Sequence, residues 1–224
     1  MRARLAAPLA ALLVAAAVPA AAVPFAVQLG AERIALDAPP GFSDTAFLAS
    51  PRMQDLAESL TSASNRILLF AITDADLRRF MIGDRPELRR YMIAVTPRGL
   101  ERERVSTPQF ATLVEDSLRD LGKPAGTLDY PSYLDGQPHG KASLLAELRK
   151  EPGVVSVLQG TRLPGQGGFM EKPQYLFSTT TLLLVRGKAL QIAAYTGFDS
   201  QNDAEWLKFI TQRWIDELLR LNSR

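Results

Sequence analysis

The sequence contains no cysteine and a single histidine, His139. Without cysteine, the chain can form neither a disulfide scaffold nor a lipid-modified N-terminal cysteine. With one histidine, carboxylates would have to supply the remaining ligands of a zinc site, so we expect no metal centre. The G-x-S-x-G and S-x-x-K motifs of serine hydrolases are also missing. These absences weigh against the common hydrolytic and zinc-dependent enzyme classes.

Motifs for a bound cofactor are equally scarce. The one glycine-rich stretch, GQGGF at 165–169, lacks the Lys-Ser/Thr pair of a P-loop. It also lacks the G-x-G-x-x-G spacing of a dinucleotide-binding turn. We therefore predict no cofactor and interpret this stretch as a connector.

The first residues have the layout of a secretory signal peptide. Arg2 and Arg4 precede an uncharged, mostly apolar run over 5–27. Within that run, Ala20 and Ala22 are the small residues that an A-x-A-like cleavage site requires. The pattern predicts cleavage near Ala22 and export of the remainder.

We accordingly predict a signal peptide over 1–22 and a single mature domain over 23–224, periplasmic or secreted. The alternative is an uncleaved anchor in the inner membrane, because about 20 apolar residues can span a bilayer. The richness of the segment in alanine and proline favours cleavage. Membrane contact is expected only through this segment, and only if it is retained.

The charge balance argues against nucleic acid as a partner. The whole chain has 26 Lys+Arg and 24 Asp+Glu, and loss of the two signal arginines leaves 24 of each. A formally neutral mature protein provides no global electrostatic attraction to a polyanion.

Apolar patterning predicts alternating strands and helices in the first half. Ile34 and Leu36 alternate as in a half-buried strand, and the continuous runs over 66–72 and 91–95 are typical of strands covered on both faces. Helix starts are expected where a capping residue precedes an apolar stripe, at Ser50 with Pro51, at Thr73 or Asp74, and at Ser106 with Gln109.

The sequence pattern in the second half of the chain predicts two hairpins and a terminal helix. Residues 143–150 fit either a strand or a helix, and the Pro152-Gly153 turn favours a hairpin. A second hairpin spans 179–198, with Gly187-Lys188 as its turn and Leu183 opposite Ile192. Apolar residues at helical spacing follow from about Asp203. The sum is an α+β fold, a central antiparallel sheet with a C-terminal four-strand meander, flanked by helices.

This order of elements resembles the PsbP/DcrB-type α/β sandwich of exported proteins. The resemblance includes the N-terminal strand leading into "APPGF", a central helix, the strand meander and the C-terminal helix. It implies helices packed on both faces of an antiparallel sheet and a binding or assembly role. It supplies no catalytic motif.

Two long loops, over 123–141 and 163–174, are the first candidates for an interaction surface. They hold aromatic or histidine side chains without helical or strand periodicity, namely Tyr130, Tyr133, His139 and Phe169. Aromatic residues on loops make good interface anchors, so we predict a non-catalytic binding or assembly domain of unknown ligand, whose partner is a periplasmic or envelope protein or a small anionic ligand. The tyrosines could instead cover the sheet edge. The enzymatic alternative is a hydrolase that uses His139 or a carboxylate.

An arginine-rich region over 78–104 offers a second candidate. It holds eight arginines against four acids, and guanidinium groups bind carboxylate and phosphate bidentately. A small anionic ligand is therefore conceivable there. The alternative is a solvated face with ion pairs. The candidate binding arginines are Arg78, Arg79, Arg89 and Arg90.

Overall fold

The computed structural model describes residues 24–164 and 173–223. The predicted signal peptide and Phe169 lie outside the described residues. The strands are β1 Phe25–Leu29, β2 Glu32–Leu36, β3 Phe42–Asp44, β4 Asn65–Thr73, β5 Arg90–Pro97, β6 Ala142–Glu151, β7 Val154–Arg162, β8 Tyr175–Val185 and β9 Lys188–Phe198. The α-helices are α1 Pro51–Ser59, α2 Asp74–Met81, α3 Thr107–Leu118, α4 Tyr130–Asp135 and α5 Gln201–Leu221, and short 3-10 helices span Ala46–Leu48, Arg98–Leu100 and Arg119–Leu121.

A seven-stranded antiparallel sheet organises the α+β domain, as the sequence predicts. Its strand order is β3-β4-β5-β9-β8-β7-β6, and β1 with β2 forms a separate two-stranded sheet. The four-strand meander is β6 to β9. The ambiguous residues 143–150 lie in β6, and Gly153 has a φ of 82° in the turn to β7. Glycine tolerates this left-handed conformation without strain.

The hairpin between β8 and β9 differs from the prediction in its turn. Val185 pairs with Lys188, so the two turn residues are Arg186 and Gly187. Both have positive φ, 52° and 73°, as a type I′ turn requires. Leu183 therefore faces Leu190 instead of the predicted partner. The shift is two residues, an even number, so every side chain keeps its predicted face.

Lys188, expected in the turn, is buried instead. Its Nζ donates to the backbone carbonyls of Glu101 at 3.3 Å and Glu103 at 2.6 Å. These bonds tie the segment after β5 to the start of β9. A lysine beside a glycine resembles a turn in sequence, and only the tertiary contact shows its structural role.

One face of the large sheet packs against α5, α4 and the small sheet. Ile210, Trp214 and Leu218 of the predicted α5 stripe are buried, and the Trp214 indole N–H donates to the carbonyl of Asp37 at 2.9 Å. Thr179 of β8 and Thr211 of α5 share a buried hydroxyl hydrogen bond of 2.6 Å. The other face is covered by α1, α2 and α3.

The helices on that other face begin where capping chemistry predicts. Ser50 caps α1 and Thr73 caps α2, each accepting from a backbone N–H of the first turn. At α3 the N–H of Ser106 donates to Gln109 Oε1 at 2.8 Å, completing a capping box. Phe110 of α3 is buried beside β8 and β9.

The prediction of a loop over 123–141 is wrong in its centre, where α4 forms. Asp129 caps this helix, and Tyr130 and Leu134 are buried in the main core. Leu134 packs on β7 at Gly160, where a Cβ would lie 2.7 Å from the leucine Cδ1. Glycine at that position is what lets α4 sit so close to the sheet.

The two edge strands of the large sheet differ in how far they are protected from further strand pairing. β6 carries two register irregularities and a series of charged residues, and the N–H of Ala125 donates to its Leu145 carbonyl at 3.3 Å. Charges and covering segments block further strand pairing. At the opposite edge, β3 pairs only with the last three residues of β4. Over Asn65–Phe70, β4 therefore has a strand partner on one side only, and its pairing with that partner, β5, has a register irregularity between Ile67 and Leu69.

No helix among the described residues is long and apolar enough to cross a membrane.

Candidate functional site

The incomplete edge of β4 borders a groove of about 610 Å³ beneath α1. Six consecutive β4 residues, Asn65–Phe70, line it. Successive side chains of a strand point to opposite faces of the sheet. A groove that touches all six must therefore run along the strand edge rather than across one face.

The helix α1 forms the opposite wall. Its lining residues Met53, Gln54, Ala57 and Glu58 recur at helical spacing on one side of the helix, and the N-cap Ser50 and Thr61, just past the helix end, extend the wall. Met53 and Ala57 are buried against the sheet, whereas Gln54 and Glu58 are exposed. The wall thus has an apolar base and a polar rim, as binding clefts commonly do.

The groove is closed at one end where β3 stops. Thr45 donates from its N–H to the Phe70 carbonyl at 2.8 Å and from its Oγ1 to the same oxygen at 2.9 Å. The N–H of Phe70 donates to Asp44 Oδ1 at 3.4 Å. A side-chain oxygen thus takes the place of the next strand carbonyl, and pairing along this edge ends there.

Asp44 is the half-buried carboxyl of this closed end. It also accepts from the Ala46 N–H at 3.4 Å, and no cation lies within ion-pair distance among the residues described. Burial raises its pKa, and the backbone N–H groups that point at it oppose this only in part. A perturbed carboxyl in a cleft marks a candidate binding position.

Ala49 lies on the groove wall in the left-handed region, with φ 46° and ψ 33°. Residues other than glycine adopt this conformation only where the surroundings impose it. Here the turn joins the short 3-10 helix to the Ser50 cap of α1, and it sets the distance of α1 from the β4 edge.

The far end of the groove has two arginines that already form hydrogen bonds or ion pairs within the chain. Arg66 donates to the Gln28 carbonyl at 3.2 Å and forms an ion pair with Glu101. Arg98 donates from Nε to the Ala63 carbonyl at 3.2 Å. The two ends therefore differ in charge, with carboxylate at the β3 end and guanidinium at the other.

The predicted loop residues are not gathered in one exposed surface. The Tyr130 ring is 1 % exposed and packs edge-on against Phe177, with centroids 5.8 Å apart. Tyr133 is half-buried against the same core. Both tyrosines therefore pack against the core, and Tyr130 covers a face of the sheet at β8, an interior strand, and not the sheet edge of the alternative prediction. Phe169 lies outside the described residues.

His139 is exposed in the turn after α4. The nearby Asp135 carboxylate accepts from the Tyr175 hydroxyl at 2.8 Å and lies 3.6 Å from Arg162 Nε. Burial first, and this hydrogen bond second, raise the pKa of Tyr175 to about 12. Across 24–164 and 173–223, no hydrogen bond joins His139 to a serine or carboxylate, the contact that a catalytic triad needs.

Three of the four candidate arginines form ion pairs within the chain. Arg79 pairs with Glu87, Arg89 pairs with Asp199, and Arg90 binds Asp203 at 2.9 Å. The Arg90 guanidinium also lies 4.0 Å from the centroid of the Trp206 ring. Arg78 is exposed on α2. This is the arrangement expected of a solvated face with interspersed ion pairs.

In the part of the chain that the structure describes, no three histidine, aspartate or glutamate side chains are arranged to hold a metal ion.

Sequence reasoning did not single out the β4 groove. Asp44, α1 and the β4 edge come from three separate segments, and each has an ordinary local pattern. β3, which begins at the end of "APPGF", was not predicted, and its three residues leave most of β4 unpaired on that side.

No family model matches the chain, and no curated protein matches it. Two solved structures are similar over most of its length. A mutant Mog1 protein is 14 % identical with a TM-score of 0.39, and the alignment covers 90 % of this chain and 94 % of that chain. The Saccharomyces cerevisiae Ran-binding protein Mog1p is 13 % identical with a TM-score of 0.36, covering 91 % and 94 %. Similarity this low carries no argument about the function of this chain.

Proposed function

We propose that the protein is an exported, non-catalytic binding domain that captures an extended segment of a partner protein along the open edge of β4. A peptide that adds a strand to a sheet edge binds through main-chain hydrogen bonds, and adjacent pockets supply specificity. The lining of the groove by six consecutive β4 residues is the observation that carries this proposal.

The dimensions of the groove suit such a peptide. Residues Asn65–Leu69 rise about 3.3 Å each, so the open edge is about 16 Å long. An added strand would continue the line of β3, which pairs antiparallel with β4. The apolar base of α1, at Met53 and Ala57, would receive alternate side chains of the peptide.

Export remains part of the proposal and rests on the N-terminal sequence. The basic start, the apolar run and the small residues near Ala22 support it, as does the resemblance to the exported PsbP/DcrB-type proteins. The partner would then be an envelope or secreted protein.

The proposal is tested with a display library of short random peptides, selected on the purified mature domain. Within 65–69 of β4, bound peptides should protect from hydrogen exchange the amides that point away from β5, because the others already bond to β5. Gln54→Trp, which places a large ring in the groove from an exposed position on α1, should weaken binding at least tenfold.

Asp55→Trp is the matched control, since Asp55 is exposed on the same helix and does not line the groove. Binding that survives Gln54→Trp unchanged, or protection confined to other strands, would refute the assignment of this site.

A further inference from the structure

We infer that the extended segment bound along β4 carries a lysine or arginine side chain that pairs with Asp44. This inference rests on the proposed function and specifies the chemistry of its ligand. It follows from the position of Asp44, from the groups around its carboxylate, and from the charges that line the groove.

The position of Asp44 places it beside any strand that occupies the groove. Asp44 is the last residue of β3 and pairs with Ala71. The next residue, Thr45, makes the final backbone bond to Phe70 before the chain turns away into the 3-10 helix. An added strand therefore begins next to this carboxylate, within reach of a long basic side chain.

The carboxylate has capacity for a further partner. Among the described residues, its two hydrogen bonds both go to Oδ1 and are both long, at 3.4 Å, and the Thr45 N–H also points at the carboxyl. A carboxylate can accept about four hydrogen bonds. Burial without a counter-ion disfavours the charged form, as its raised pKa reflects, and an incoming cation would remove that penalty.

The other charges of the groove fit a basic ligand placed at this end. Arg66 is held by Glu101 and the Gln28 carbonyl, and it lies near the start of β4, away from Asp44. Among the described residues, the Glu58 carboxylate, on the rim, accepts only from Gln54 of its own helix, at 2.9 Å. A basic side chain at the β3 end thus meets a carboxylate and avoids both guanidinium groups.

The test uses acetylated and amidated Thr/Val peptides with a single lysine at successive positions, alongside a matched set with glutamine. Fluorescence anisotropy should show at least one lysine peptide binding about tenfold tighter than its glutamine counterpart, the effect of one charge-assisted hydrogen bond. Asp44→Asn, which keeps Oδ1 as an acceptor, should abolish that preference. Asp55→Asn, which removes an exposed charge on α1 outside the groove lining, should preserve it.

The outcomes separate this inference from the proposed function. Peptides that protect the β4 edge equally well with lysine or glutamine would overturn the pairing with Asp44 and leave strand capture intact. A lysine preference lost equally in Asp55→Asn and Asp44→Asn would reduce the effect to general charge and overturn the specific pair. Failure of every peptide to bind at the edge would overturn both.

Discussion

Replacement of Tyr130 by alanine should test whether α4 is a structural cover of the sheet. The ring is 1 % exposed and packs against Phe177 within the largest core cluster. Truncation of a buried aromatic side chain to alanine costs about 3–5 kcal/mol, because apolar burial is lost and a cavity remains. We expect Tyr130→Ala to lower the free energy of unfolding by that amount.

Urea denaturation of the mature domain measures this change. With an m-value near 3 kcal/mol per molar, the upper end of the usual range, the midpoint should fall by about 1–2 M. Tyr130→Phe retains the ring and its packing, so its midpoint should stay close to that of the wild type. A wild-type midpoint for Tyr130→Ala would show that the tyrosine is not part of the core and would restore it as a candidate interface anchor.

Three further predictions concern the turn, the pH dependence and the N-terminus. Gly187→Val should destabilise the fold by about 1–3 kcal/mol, because φ is 73° there and a Cβ would lie 3.0 Å from Arg104 Cγ; an unchanged denaturation midpoint would contradict this. Burial raises the pKa of Asp203, but hydrogen bonds from the Asp199 N–H, Arg90 and the Ser200 N–H outweigh it and leave the pKa lowered. The resulting stabilisation is present above the unfolded pKa of about 3.9 and is lost as pH falls through the folded value. Asp203→Asn should therefore destabilise the domain at neutral pH and much less at a pH of about 2, measured by urea midpoints; an equal loss at both would argue against the linkage. Intact-mass measurement of protein from the periplasmic fraction should give a chain that begins after Ala22, whereas a full-length species retained in the membrane would support the anchor instead.

The sequence predicts the large sheet well because its signals are local and mutually consistent. Continuous apolar runs mark β4 and β5, and Ser50, Thr73 and Ser106 cap helices where capping chemistry requires. The meander is predicted equally well, because Gly153 and Gly187 interrupt apolar runs at turn positions with positive φ. Such features depend on a few neighbouring residues and need no knowledge of tertiary contacts.

The elements that escaped prediction each depend on a competing signal. β1 lies at the end of the apolar N-terminal run, where its alternation merges with the predicted signal segment. α4 is six residues long, and its Asp129 cap with Pro131 in the first turn resembles loop composition. The turn residue Arg186 has a φ of 52°, a conformation its residue type does not suggest.

The candidate site could not be predicted from local sequence patterns, because its parts come together only in the tertiary structure. Asp44 lies in a three-residue strand, and its importance comes only from the point at which β3 leaves the edge of β4. The width of the groove depends on how α1 packs, through Met53 and Ala57, against β4 and β5 of the sheet. Neither the point at which β3 ends nor the width of the groove is encoded by a periodic sequence pattern.

The contrast between the two sheet edges bears on assembly. A sheet with two unprotected edge strands can pair with one molecule at each edge, and repetition of this pairing produces a fibril. Here the β6 edge is closed by its charges and the Ala125 contact, so a strand captured at β4, as proposed, would have no route for propagation. Strand addition would stop at this domain. It could hold one exposed segment of another protein at one-to-one stoichiometry without seeding an aggregate.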